Sequence, residues 1–255
     1  MVSLHQSFLT MPLAHRGYHD AQARRPENAL SAFQAAIDAG YGIELDVQRS
    51  ADNRAVVFHD DTLERMTAKI GAVADYSAAS LGKIALRDSD DLIPTLAEVL
   101  ALVAGRVPVL IEIKELLGTM QDTPGLLEKA VADDLHDYKG PVAVMSFNPH
   151  CIAHMARLAP KLARGLTTEA YDPAQNEPLS AETCARLREI PDYEPTSSSF
   201  ISHQASDLGR ARVAALKATG AAILCWTIRS PEAEAKARQI ADNITFEGYA
   251  AALPA

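Results

Sequence analysis

The chain has 255 residues, enough for one large α/β domain or two small ones, and 48% of them are apolar, which supplies ample material for a core. A net charge of −9 repels nucleic-acid phosphates and anionic lipid, which excludes a general nucleic-acid binder and a polybasic membrane surface. A small anionic substrate is compatible with that charge if cations gather in one cleft. In chain order, residues 12–17 (PLAHRG) predict a short strand. Residues 26–40 (PENALSAFQAAIDAG) predict a helix, because Leu30, Phe33 and Ile37 recur at helical spacing and Gly40 stops it. Pro26 and Asn28 stand at its start, where turn and cap residues belong. Strands are expected at 41–48 (YGIELDVQ) and 54–60 (RAVVFHD), and residues 62–93 are irregular, with Gly71 and Gly82 as turn residues. A helix over 95–105 places Leu96, Val99, Leu100 and Val103 on one face. Further strands are expected at 107–114, 142–148, 163–168, 197–204 and 221–228, separated by helical windows such as 207–220.

This alternation predicts an α/β fold of the TIM type, a (β/α)8 barrel with an irregular connection between its second and third strands and a small excursion after the third. No G-x-G-x-x-G follows the first strand, which weakens the rival open sheet that binds dinucleotides. One domain over 1–255 is expected, with 62–93 as a small insertion over the barrel mouth. Cys151, Cys184 and Cys225 are an odd number at wide spacing, so buried free thiols are expected rather than disulfides or a zinc site. The N-terminal stretch has neither a basic start nor a sustained apolar run, and no segment approaches the ~20 apolar residues of a membrane span. A cytoplasmic protein without stable membrane association is the expectation.

The stretch 41–48 raises a physical question, because Glu44 and Asp46 stand where a barrel strand carries Val or Ile. Unpaired buried carboxylates cost several kcal/mol, on the order of a few each at least, unless protonated, paired or bound to a cation. Alternation puts Glu44 and Asp46 on one face, with Leu45 and Val47 on the other. The strand at 107–114 repeats the device with Glu112 and Lys114. His15 and Arg16 end the first strand, and His59 ends the strand at 54–60, so ionisable groups collect at the strand ends where α/β barrels keep their catalytic groups. Taken singly, each has an ordinary explanation: a polar edge strand, a surface histidine, an ion pair. Together they need one explanation. Glu44, Asp46 and Glu112 form a hard oxygen set for one divalent cation, Mg²⁺, Ca²⁺ or Mn²⁺. Arg16 and Lys114 add fixed positive charge suited to phosphate oxygens. His15 and His59 can accept and donate protons near neutrality. Phosphodiester cleavage fits this set better than peptide or glycoside hydrolysis. Only seven residues separate Val47 from Ala55, too few for a parallel crossover of about a dozen. A hairpin around Ala51 and Asp52 would set Glu44 opposite His59, and a parallel pair lacking its helix would also bring them together.

The stretches AHRG, PENALSAF, IELDVQRSADNRAVVFHDDTLERMT, IPTLAEVL and IEIK resemble the glycerophosphodiester phosphodiesterase family in order over about the first 115 residues, with weaker echoes in MSFNP and CWTI. The resemblance implies a phospholipase-C-like barrel with one divalent cation on Glu44, Asp46 and Glu112, His15 and His59 as the acid/base pair, and Arg16 and Lys114 on the phosphate. It implies a small-molecule glycerophosphodiester as substrate, cleaved to glycerol 3-phosphate and an alcohol, with the neighbouring glycerol hydroxyl as nucleophile and a cyclic phosphate that water opens. Trp226 is expected at the pocket mouth against the glycerol or head group, with barrel packing as its alternative. Glu27 is open between a residue behind the site and a helix-start carboxylate. This chain departs from the family pattern in having Ala29 where a Thr is usual, Asp52-Asn53 for an Asp-Gly turn, and NITFEGYA (243–250) for a Thr-Asp-x-Pro segment. The alternatives are a related barrel diesterase acting on lysophospholipid or sphingomyelin-like substrates, and a non-catalytic phosphate-binding barrel.

Overall fold

A computed structural model describes residues 2–115 and 118–253; the remaining positions of the expected 1–255 domain lie outside the described residues. Its strands are β1 (Leu13–Ala14), β2 (Gly42–Arg49), β3 (Ala55–Val57), β4 (Val109–Ile113), β5 (Val142–Ser146), β6 (Ala163–Thr168), β7 (Phe200–Gln204), β8 (Ala222–Ile228) and β9 (Asn243–Phe246). The helices are α1 (Ser7–Thr10), α2 (Leu30–Asp38), α3 (Ala78–Leu81), α4 (Leu96–Val103), α5 (Leu126–Leu135), α6 (Pro149–Leu158), α7 (Ala181–Arg188), α8 (Ala211–Ala218) and α9 (Pro231–Ala237). Every strand but β3 pairs in parallel with its neighbours, and β1 pairs with both β2 and β9, so eight strands close into a TIM-type barrel. Helices connect most of them on the outside.

Side-chain alternation divides the chain between two cores. Ile43, Leu45 and Val47 of β2 point outward into the layer packed against the helices. Leu13, Leu110, Ala143, Met145, Phe200 and Leu224 fill the lower barrel interior, and Phe8 of α1 plugs its base. Asn243 holds that plug by donating to the carbonyls of Phe8 (2.7 Å) and Met11 (2.6 Å). Gly165 leaves room for Phe200, since a Cβ there would lie 2.5 Å from both the ring and the carbonyl of Phe200. Gly165→Ala is therefore expected to cost about 1–3 kcal/mol by overpacking, read as a lower Tm with the fold retained.

Two expectations need correcting. The eighth barrel strand is β9, which the sequence reading passed over, whereas 54–60 supplies the short β3 outside the barrel circuit. The segment from Val47 to Ala55 is a hairpin with antiparallel partners Val47↔Val57 and Arg49↔Ala55, centred on Asp52. Its register is one residue away from a Glu44–His59 pairing, and the ladder ends before His59. The hairpin fits because β1 stops early. Arg16 and Gly17 take left-handed conformations (φ 55° and 80°), turning the chain off the β2 edge. β3 occupies the same edge further along, so the backbone carbonyl of Glu44 accepts from Gly17 N and that of Asp46 from Phe58 N.

Helix α2 is shorter than expected, with Ala29 rather than Asn28 as its cap and no side-chain cap bond. Asn28 itself sits at φ 57° and turns its amide elsewhere. Helix α4 has a full capping box from Thr95 and Glu98. Residues 62–93 carry a short 3₁₀ turn and α3, and Leu63, Val73, Leu81, Ile84, Leu86 and Ile93 share an apolar cluster with Ala29, Ala32, Val56 and Phe58. The three cysteines are free and buried. No described helix is long and apolar enough to cross a membrane.

Candidate active site

All eight residues singled out in the sequence line one pocket at the C-terminal end of the barrel strands. His15, Arg16, Glu44, Asp46, His59, Glu112, Lys114 and Trp226 surround it, together with Met145, Phe147 and Thr245. Parallel pairing of β2 with β4 sets Asp46 directly beside Glu112, and Glu44 lies one pleat lower on the same face. Carboxylate oxygens of Glu44, Asp46 and Glu112 all lie within 4.8 Å of one another, on residues that are nearly fully buried.

The electrostatics show what this closeness costs. Burial, then the charges of Asp46 and Glu112, push the Glu44 carboxyl well above the usual carboxylate range. Burial also opposes ionisation of Asp46, but Lys114, His59 and Arg16 outweigh it and hold its carboxyl below that range. Lys114 Nζ sits 2.8 Å from Glu112 Oε1 and 3.3 Å from Asp46 Oδ1. Burial disfavours its charge, yet Glu112 and Asp46 keep its pKa above the ordinary lysine value. Arg16 N donates to Glu44 Oε2 (3.0 Å), Arg16 Nε lies 3.5 Å from Asp46 Oδ2, and Arg16 Nη1 donates to Glu27 Oε1 (2.7 Å). Asn28 Nδ2 donates to Asp46 Oδ2 at 2.9 Å, which explains its departure from the helix cap. Three acids against two basic side chains leave one negative charge when all are ionised. The three carboxylates are placed to hold one metal ion, and their oxygen-only donor set suits a hard cation.

Each histidine is held by a carboxylate. His15 Nδ1 bonds Glu247 Oε2 at 2.5 Å, and Arg229 Nε donates to the other oxygen of Glu247 at 2.7 Å. His59 Nδ1 bonds Asp60 Oδ1 at 2.7 Å. Hydrogen bonds from His15 and His19, against the effect of burial, hold the Glu247 carboxyl below the usual range. Asp60 is likewise held low: burial opposes, but Arg65 and His59 prevail. Both acids engage Nδ1, which leaves Nε2 of each ring outside the carboxylate bond. Burial lowers the pKa of His59, with Asp46 opposing and Lys114 and Arg16 reinforcing.

Sequence reasoning missed Glu247, Asp60 and Asn28 as partners in this site. Glu247 falls within the NITFEGYA stretch, at the end of β9, and its partner is 232 residues away. Glu27, left open between two readings, contacts Arg16 from behind rather than capping α2. Trp226 combines both alternatives: it lines the pocket, stacks edge-to-face on Phe147 (5.5 Å, 82°) and donates its indole N–H to Ser202 O at 3.0 Å. Of the remaining histidines, His203 is buried between Thr168 and Asp207, and His19 lies 3.7 Å from Glu247.

A family model described as the glycerophosphoryl diester phosphodiesterase family matches residues 15–244. A glycerophosphodiester phosphodiesterase from Caldanaerobacter subterraneus subsp. tengcongensis is 35% identical over 166 residues, covering 62% of this chain and 66% of that protein. One from Bacillus altitudinis is 35% identical over 168 residues, covering 63% and 67%. The alignments thus span about two thirds of these curated relatives. Among solved structures, an Oleispira antarctica phosphodiesterase in complex with the product sn-glycerol-3-phosphate superposes with a TM-score of 0.73 at 25% identity, covering 94% of each chain. A glycerophosphodiester phosphodiesterase from Thermotoga maritima gives 0.69 at 25% identity, covering 92% of this chain and 94% of that one.

Proposed function

The chain belongs to the glycerophosphoryl diester phosphodiesterase family, and from that premise we propose that it hydrolyses glycerophosphodiesters to glycerol 3-phosphate and an alcohol. The observation that carries this reading is the convergence of three buried carboxylates, two cationic side chains and two carboxylate-held histidines on one pocket. Glu44, Asp46 and Glu112 would hold the divalent cation. When bound, that cation neutralises the acids and withdraws charge from the phosphoryl group and the attacking hydroxyl. Arg16 and Lys114 bind the non-bridging phosphoryl oxygens, Arg16 with its planar fork and Lys114 as a point charge.

His59 is the base in the first step. Burial, opposed by Asp46 and reinforced by Lys114 and Arg16, lowers its pKa and so favours the neutral ring, whose Nε2 takes the proton of the neighbouring glycerol hydroxyl as that oxygen attacks phosphorus. His15, its ring oriented through Nδ1 by Glu247, protonates the leaving alkoxide from Nε2. The cyclic phosphate is opened by water with the two roles exchanged. Trp226 and Phe147 form the apolar wall beside the glycerol or head group. The pairing of β1 with β9 supports reading the chain as one phosphodiesterase domain, with 62–93 as its insertion.

A substrate panel tests the proposal. Purified protein is offered glycerophosphocholine, glycerophosphoethanolamine and lysophosphatidylcholine with a divalent cation, and glycerol 3-phosphate is assayed. Turnover of the soluble diesters is the expected result. Turnover of the lysophospholipid alone would move the substrate class to lipids, and tight diester binding without product after long incubation would overturn the enzyme reading.

A further inference from the structure

Arg65 lies in the irregular 62–93 segment, and its guanidinium grips two carboxylates at once. Nε and Nη2 donate to Asp60 Oδ2 (2.5 Å) and Oδ1 (2.8 Å). Nη1 and Nη2 donate to Glu27 Oε2 (3.0 Å) and Oε1 (2.6 Å). Each carboxylate has a second engagement toward the pocket. Asp60 Oδ1 bonds His59 Nδ1 at 2.7 Å, and Glu27 Oε1 bonds Arg16 Nη1 at 2.7 Å. One side chain from outside the barrel is therefore the junction between two of the pocket's working groups.

The junction needs an arginine. Spanning two carboxylates with four hydrogen bonds uses the planar fork, whereas a lysine ammonium is a compact point charge on a flexible stem. The Arg65 backbone is fixed as well: Arg87 Nε donates to Arg65 O (3.1 Å), and Arg87 Nη2 donates to Glu64 O (2.9 Å) and Thr67 O (2.7 Å). A second arginine thus pins the loop that presents the first. The Glu27 and Asp60 side chains are only 15% and 22% exposed, so solvent only partly replaces the guanidinium if it is lost.

We propose that Arg65 is a positioning residue for both His59 and Arg16. It fixes the carboxylate that holds the His59 ring with Nε2 toward the pocket, and it fixes the carboxylate that aims the Arg16 fork. The roles of His59 and Arg16 rest on the function proposed above. The inference goes beyond that function in giving the 62–93 segment a part in the chemistry.

The test uses Arg65→Ala and Arg65→Lys in the full chain, with kcat and KM for glycerophosphocholine measured with and without added guanidinium. Histidine ¹⁵N resonances are recorded on the same proteins. Arg65→Ala is expected to lower kcat about 10–100-fold, in the range typical of losing an outer partner of a site. Guanidinium should restore part of that loss, and Arg65→Lys should remain close to the alanine variant. The His59 ring signals should move from one tautomer to a mixture in Arg65→Ala. Wild-type kcat and KM in Arg65→Ala would overturn the proposal. Full activity in Arg65→Lys would also overturn it, by reducing Arg65 to a point charge. So would a loss of activity that guanidinium does not rescue while the His59 signals stay unchanged. If the wild-type protein turns over no glycerophosphodiester, the function reading fails, and the His59 signals still decide whether Arg65 positions that ring.

Discussion

Replacing His59 with alanine is expected to lower kcat for a glycerophosphodiester by about 10²–10⁴-fold, with a much smaller change in KM. The ring is held by Asp60 through Nδ1, which leaves Nε2 as the proton acceptor. Burial, Lys114 and Arg16 favour its neutral form, so its pKa lies below the ordinary histidine value of 6.5. The sign follows directly. A base must be unprotonated to act, so the acid limb of the kcat profile should fall off below pH 6.5 rather than above it. His15→Ala is expected to cause a loss of similar order. Glu247→Gln keeps the shape of the His15 partner but removes the carboxylate that engages its Nδ1, so an intermediate loss is expected. Steady-state rates across pH check all three. Undiminished turnover in both histidine variants would sink the two-histidine mechanism.

Chelation is expected to abolish turnover, and adding Mg²⁺, Ca²⁺ or Mn²⁺ to the stripped protein is expected to raise its Tm. At a hundredfold excess over Kd the stabilisation is about 2.7 kcal/mol, corresponding to roughly 5–10 °C for a chain of this size. The effect should grow with pH. Burial and the neighbouring acids Asp46 and Glu112 raise the folded-state pKa of Glu44 above its ordinary value of 4.5. Glu44 therefore contributes stability that is fully present below pH 4.5 and is lost as pH rises through the folded value. A cation among the carboxylates offsets that loss, so the Tm increase should be larger at about pH 7 than at about pH 5, and binding should release protons. Glu44→Gln should flatten the pH dependence of the shift. Thermal scans with each cation, with and without chelator, decide the matter; no shift with any of them, together with turnover that survives chelation, would rule out the cation.

The pocket was legible in the sequence where local rules act. Strand alternation alone puts Glu44 and Asp46 on one face, and burial makes two acids on a barrel strand need a counter-charge. The short span from Val47 to Ala55 announced the hairpin, but its register depends on which turn residues pair, and Ser50 N bonding Arg54 O shifts the centre to Asp52. Strand β9 was overlooked because it is four residues long and turns Asn243 and Thr245 inward, so only Ile244 and Phe246 mark it as a strand. Glu247 was illegible as a partner of His15 because nothing local connects the two; barrel closure alone makes them neighbours. Asn28 looked like a cap because caps and buried side-chain donors draw on the same residue types.

The two-residue strand β1 is the thin stave of this barrel. It meets β2 at two positions and β9 at two, whereas β2 and β4 meet at five. His15 and Arg16 follow directly on that stave, and His15 N still donates to Phe246 O (2.9 Å) while Arg16 O accepts from Asn28 N (2.8 Å). Side chains from the stave's immediate neighbours add to that hold: Glu44 from β2, Glu247 beyond β9, and Glu27 ahead of α2. The side chains that fix these two pocket residues therefore also fasten the seam where the barrel closes.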